Sequence, residues 1–132
     1  MSFDDKTIDQ VLAMKTWAIV GLGNNPERAA FGVSKLLQDK GHRIVPVYPR
    51  AETVHGEVGY KTLSEIPFPV DVVDCFVNSK LVGKVVDEAI EIGAKAVWLQ
   101  LDVIDSEAIA RAEAAGLLAI MDRCPAIEYR KR

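Results

Sequence analysis

Residues 17–50, WAIVGLGNNPERAAFGVSKLLQDKGHRIVPVYPR, decide how this chain is read. Trp17 to Val20 is a continuous apolar run, as in a strand covered on both faces. Gly21-Leu22-Gly23-Asn24-Asn25-Pro26 follows as a turn. Ala29 to Lys40 reads as a helix, apolar at Phe31, Val33, Leu36 and Leu37, with Gly41 as its stop. Ile44 to Val47 is a second strand, ending in Tyr48-Pro49-Arg50. Strand, glycine turn, helix and strand make up a phosphate-binding unit. Gly21 and Gly23 let the backbone approach an anion, and the helix aims free N–H groups at it. A dinucleotide fingerprint adds a third glycine and, about 20 residues on, an Asp or Glu for the ribose hydroxyls. Here Pro26 takes the glycine position and the second strand ends in arginine. Arg50 would attract a phosphorylated ribose where a carboxylate would repel it. Coenzyme A and NADP are the two common nucleotides with that extra phosphate.

The rest of the chain continues the alternation. Asp5 to Met14 reads as a lead helix, with Ile8, Val11 and Leu12 on one stripe. An irregular crossover, 51–69, contains a single helical turn at Leu63-Ser64-Glu65-Ile66. Val70 to Val77 is a third strand, carrying Asp71 and Asp74. Leu81 to Ile92 is a helix, Ala96 to Leu101 a fourth strand, Ser106 to Ala115 a helix capped by Asp105, and Leu117 to Met121 a fifth strand. Such a pattern predicts an α/β, Rossmann-like, doubly wound parallel sheet of five strands with helices on both faces. Right-handed crossovers favour strand order 3-2-1-4-5, with ligands at the carboxyl edge between strands 1 and 4. Residues 1–132 are expected to form a single domain, with 1–15 as a lead helix packed on it.

Composition excludes several classes. A net charge of −3 over 132 residues argues against nucleic-acid binding. The basic end, Tyr129-Arg130-Lys131-Arg132, reads as a solvated tail. No apolar run approaches the ~20 residues of a membrane span, and Met1 to Gln10 is too charged for a signal segment. The expected location is the cytoplasm. Cys75 and Cys124 lack C-x-x-C spacing and read as reduced thiols. No Cys/His cluster is spaced for zinc.

The candidate site residues lie at the strand ends. Gly21, Gly23, Asn24, Asn25, Pro26 and Arg28 form the phosphate turn. After strand 2, Arg50 is the candidate clamp for a ribose phosphate; Tyr48 suits stacking on an adenine and equally a loop aromatic that covers the sheet edge, with Pro49 between them. Val77, Asn78 and Ser79 end strand 3; Asn78 or Ser79 also suits the N-cap of the next helix. Gln100 to Asp102 reach the same edge. Catalysis has little support: His42 and His55 read as surface histidines without an evident partner. Asp71 and Asp74 read as strand-end or satisfied carboxylates, and Trp17 and Trp98 as core. An NADP-dependent reductase and a protein-interaction module with a vestigial site are the alternatives to simple binding.

The landmarks Ala18 to Arg28, Gly41 to Arg50, Ile66-Pro67, Val97-Trp98-Leu99-Gln100 and Met121 to Pro125 resemble a known family. These are the small stand-alone CoA-binding proteins, similar to the N-terminal domain of the succinyl-CoA synthetase α subunit. The resemblance implies coenzyme A or an acyl-CoA with phosphates at the glycine turn, adenosine near Pro49-Arg50 and pantetheine near Val77-Asn78-Ser79. It also implies binding without catalysis, since the synthetase's phosphohistidine domain has no counterpart here. The ligand would then be carried, sensed or delivered to a partner enzyme; a homodimer through the lead helix or the last strand is a separate option. The chain departs from the family at Asn24 (often Ser), Tyr48 (often Asn), Val77 (often Arg) and Asp102 (often Gly). The last two make the site less positive.

Overall fold

The computed structural model describes residues 4–132. Its elements are α1 (Asp5–Leu12), β1 (Thr16–Val20), α2 (Ala29–Asp39), β2 (Arg43–Val47), a 3-10 turn (Leu63–Glu65), β3 (Val72–Cys75), α3 (Ser79–Glu91), β4 (Ala96–Leu99), α4 (Ser106–Ala114), β5 (Leu118–Ile120) and α5 (Pro125–Arg130). Side-chain caps start three of the helices: Asp4 accepts from Thr7 N, Asn78 from Lys80 N and Leu81 N, and Asp105 from Ala108 N.

All strand pairs are parallel, and the five strands run β2-β1-β3-β4-β5. The fold class is the one read from the sequence, but β3 lies beside β1 and not outside β2. Pro46 gives the reason. Its carbonyl accepts from Tyr60 N at 3.0 Å on the outer side of β2. A residue's N–H points to the same side of its strand as its C=O, so proline's missing donor would have broken a ladder with β3 there. β2 is therefore an edge, shielded by Tyr60, and the chain order reverses between β1 and β3. That pair, and not strands 1 and 4, opens the crevice where ligands bind in such sheets.

Strand side chains alternate between two apolar layers. Ala18, Val73, Cys75, Val97 and Leu99 face α3 and α4. Trp17, Ile19, Val72, Trp98 and Ile120 face α1, α2 and α5. Both tryptophans are completely buried, and Cys75 and Cys124 are free buried thiols.

The basic end is not a solvated tail. α5 brings Ala126, Ile127 and Tyr129 onto the second layer. Beyond it, Arg132 reaches Asp5 and Asp9 of α1 and Glu128 of α5. His42 is likewise no surface histidine. It is 8% exposed, with Nδ1 2.7 Å from the Met14 carbonyl and Nε2 2.5 Å from the Tyr129 hydroxyl.

Candidate functional site at the carboxyl edge of the sheet

Three hollows meet at this edge, and Arg28 lines all of them. The first, about 300 Å³, is polar and bounded by Asn24, Asn25, Tyr48, Arg50 and Glu52. The second, about 280 Å³, lies between the start of α2 and the ends of β3 and β4, against Ala29, Ala30, Phe76 and Gln100. The third, about 400 Å³, runs toward α3 past Tyr48, Lys61, Val77, Asn78 and Leu81. Gly21 and Phe76 separate and share the latter two. Together they form a branched trough suited to a long ligand with a charged end and an apolar arm.

Gly21 has φ +101, and a Cβ there would lie 2.4 Å from the Phe76 carbonyl oxygen. Only glycine allows β1 and β3 to approach so closely at the crevice. α2 then begins at Arg28, its N-cap, with no side-chain cap. Ala29 and Ala30 open the helix beside the second hollow, and Phe31 N already donates to the Arg28 carbonyl at 3.1 Å; a helix start of this kind favours an anion or a carbonyl oxygen. Arg28 and Arg50 are both exposed.

The turn itself is occupied from within. Glu52 Oε1 accepts from Asn24 N at 3.0 Å, and Asn24 Nδ2 donates to the Thr53 carbonyl at 2.8 Å. Sequence reading missed Glu52, which sits in the irregular crossover five residues beyond β2. Its available signal was a lone carboxylate close after Arg50.

The structure brings Gly23, Asn24, Asn25, Arg28, Tyr48 and Arg50 around the polar hollow. Gly21, Pro49, Val77 and Asn78 line the hollow toward α3. Pro26 lies exposed in the turn. Ser79 is taken up elsewhere: its Oγ accepts from Ile104 N at 2.8 Å and donates to the Asp102 carbonyl at 3.3 Å. That clasp ties α3 to the β4–α4 loop. Asp102 stands at φ +67, a conformation that favours glycine, with its N–H held by Asp122 Oδ1 at 2.8 Å.

The titratable groups divide clearly. Burial lowers the His42 pKa, opposed by the Met14 carbonyl, and His55 Nε2 lies 2.9 Å from the Phe31 carbonyl. Asp71 is satisfied by Thr16 N and Lys95. Asp74 is not a satisfied carboxylate: it is fully buried and neither oxygen has a hydrogen-bond partner. Burial pushes its carboxyl well above the ordinary range, with the nearby Cys75 N–H acting in the opposite sense. Among the described residues no cluster of His, Cys, Asp and Glu could hold a metal ion. No described helix is long and apolar enough to cross a membrane.

The fold and the trough define a Rossmann-like α/β protein with a crevice built around a glycine turn and two arginines. The chain belongs to the CoA binding domain family, which it matches over residues 15–130. It is 36% identical over 110 residues to the uncharacterized protein YneT of Bacillus subtilis (strain 168), covering 83% of this chain and 82% of that one. A hypothetical protein from Pyrococcus horikoshii OT3 superposes with a TM-score of 0.93 at 37% identity, over 98% of this chain and 92% of the other. The α subunit of acetate–CoA ligase [ADP-forming] II of Pyrococcus furiosus is 36% identical over 81 residues, 61% of this chain and 18% of the subunit. These relationships support coenzyme A as the ligand and lend nothing to NADP.

Proposed function

We propose that this chain binds coenzyme A or an acyl-CoA along the branched trough without transforming it, as a carrier or sensor serving a partner enzyme in the cytoplasm. The observation that carries the reading is the convergence of Arg28, Arg50, Asn24, Asn25 and Tyr48 on one polar hollow that opens into two more apolar ones. In this reading the diphosphate lies at the glycine turn and the start of α2. Arg50 takes the 3′-phosphate, Tyr48 flanks the adenine, and the pantetheine arm passes Val77 and Asn78. His42 is committed to Met14 and Tyr129, and His55 to Phe31. Neither is disposed to move a proton at the trough.

Calorimetric titration with CoA, dephospho-CoA and NADPH at low salt tests this. CoA is expected to bind best and to lose affinity without its 3′-phosphate. Preference for NADPH, or binding of none of the three, would refute the reading.

A further inference from the structure

Among the described residues, three buried side-chain oxygens lack a hydrogen-bond partner: both of Asp74 and Oε1 of Gln100. A buried polar group left unpaired is costly. Their placement suggests a common explanation. Asp74 sits opposite Trp98 in the β3–β4 register. Gln100 is two residues beyond Trp98, and Gln100 N donates to the Cys75 carbonyl at 3.3 Å, so the strands still run side by side there. With a side-chain period of two, Asp74 and Gln100 share one face of the sheet as diagonal neighbours, within reach of long side chains. Asp74 is fully buried and Gln100 is 7% exposed. Two acceptors turned into the same apolar space repel unless a proton lies between them, and a carboxylic acid can supply it.

Gln100 also lines the second hollow, with Phe76, Val77 and the first residues of α2. If its oxygen is held inward, its amide nitrogen is the end turned to the hollow. The walls there are otherwise largely apolar, and Ala29 and Ala30, at a helix start with no side-chain cap, close the hollow from another side.

We propose that Asp74 is a neutral acid whose proton is donated to Gln100 Oε1, and that this fixes the Gln100 amide with its N–H groups toward the hollow, where they bind a carbonyl oxygen of the ligand. The carbonyl belongs either to the pantetheine amides or to an acyl thioester. Asp74 is then a positioning residue and Gln100 a binding residue. The ligand part of this inference rests on the CoA reading above.

The test uses the wild type, Asp74→Asn, Asp74→Val and Gln100→Met, each titrated with CoA, acetyl-CoA and adenosine 3′,5′-bisphosphate. Loss of one well-placed hydrogen bond corresponds to roughly tenfold in affinity. Gln100→Met and Asp74→Val are expected to show that loss for ligands with a carbonyl and none for adenosine 3′,5′-bisphosphate. Asp74→Asn, whose amide still donates to Gln100 Oε1, is expected to retain affinity. A loss confined to acetyl-CoA assigns the thioester carbonyl, and an equal loss for CoA assigns the pantetheine amides. Wild-type affinity for all ligands in both Gln100→Met and Asp74→Val overturns the proposal. Infrared difference spectra of wild type against Asp74→Asn at neutral pH need no ligand. A protonated carboxyl band that shifts in Gln100→Met supports the pair, and a carboxylate band overturns it. Failure of the wild type to bind CoA would sink the functional reading separately, with the infrared result still deciding the pair.

Discussion

Glu52 sets a carboxylate against the backbone N–H of Asn24, where the glycine turn would otherwise offer a donor to phosphate. An anion entering the polar hollow must displace that contact and approach a like charge. Removing the carboxylate in Glu52→Ala is therefore expected to tighten CoA binding by about 1 kcal/mol, roughly fivefold. Calorimetry checks this, and weaker binding would mean that Glu52 orders the turn for its ligand. Arg50 makes the opposite contribution. Arg50→Ala should weaken CoA by roughly 1.5–3 kcal/mol while leaving dephospho-CoA nearly untouched, as expected for a charge-assisted contact to the 3′-phosphate. Equal losses for both ligands would place Arg50 away from that phosphate. Residue chemistry of this kind was partly legible in the sequence. Arg28 and Arg50 stand at predictable strand and helix ends. Glu52 does not, because the path of an irregular crossover is set by tertiary contacts and not by a local period.

At the scale of elements, the last helix ties both ends of the described chain together. Tyr129 of α5 meets His42 at the start of β2, and its hydroxyl lies 3.2 Å from the Leu12 carbonyl at the end of α1. Tyr129→Phe removes a half-buried hydroxyl shared by two partners and is expected to cost about 1 kcal/mol. A thermal melt should show this as a fall in Tm of roughly 4 °C, and an unchanged Tm would mean that α5 docks through its apolar residues alone. Sequence reading took the end of this helix for a tail because Arg130, Lys131 and Arg132 dominate its composition. Ala126, Ile127 and Tyr129 carry the packing, but six residues are too few for a persuasive helical period. The strand order was legible after all, in Pro46, since a proline in a strand marks an edge. Crossover handedness pointed to β3 outside β2, but it fixes the hand of a connection and not which strand β3 joins.

Across the whole molecule, the alternation of elements and the two-sided burial of the strands followed from apolar periodicity, while the buried acid in the central strand did not. Asp74 breaks the apolar pattern of β3, and spacing alone cannot say whether such a residue is paired. It and His42 give the fold two opposed responses to pH. The His42 pKa is lowered below its ordinary 6.5 in the folded state. The unfolded chain therefore binds more protons below that pH, and stability is lost as pH falls from 6.5 toward the folded value. The Asp74 pKa is raised well above its ordinary 3.8. Here the folded chain binds the extra proton, so stability is greatest below 3.8 and is lost as pH rises toward the folded value. Each contributes a slope of about 1.4 kcal/mol per pH unit over its own window. The two slopes have opposite signs, so they offset each other wherever the windows overlap. From pH 3.8 upward the Asp74 contribution should decline until the acid ionises within the fold. Urea unfolding of wild type and Asp74→Asn at a series of pH values checks this. The variant is expected to lose the Asp74 decline and to keep the His42 rise toward pH 6.5. Parallel curves for the two proteins would mean that Asp74 has the same protonation in both states, and the buried neutral acid would have to be abandoned.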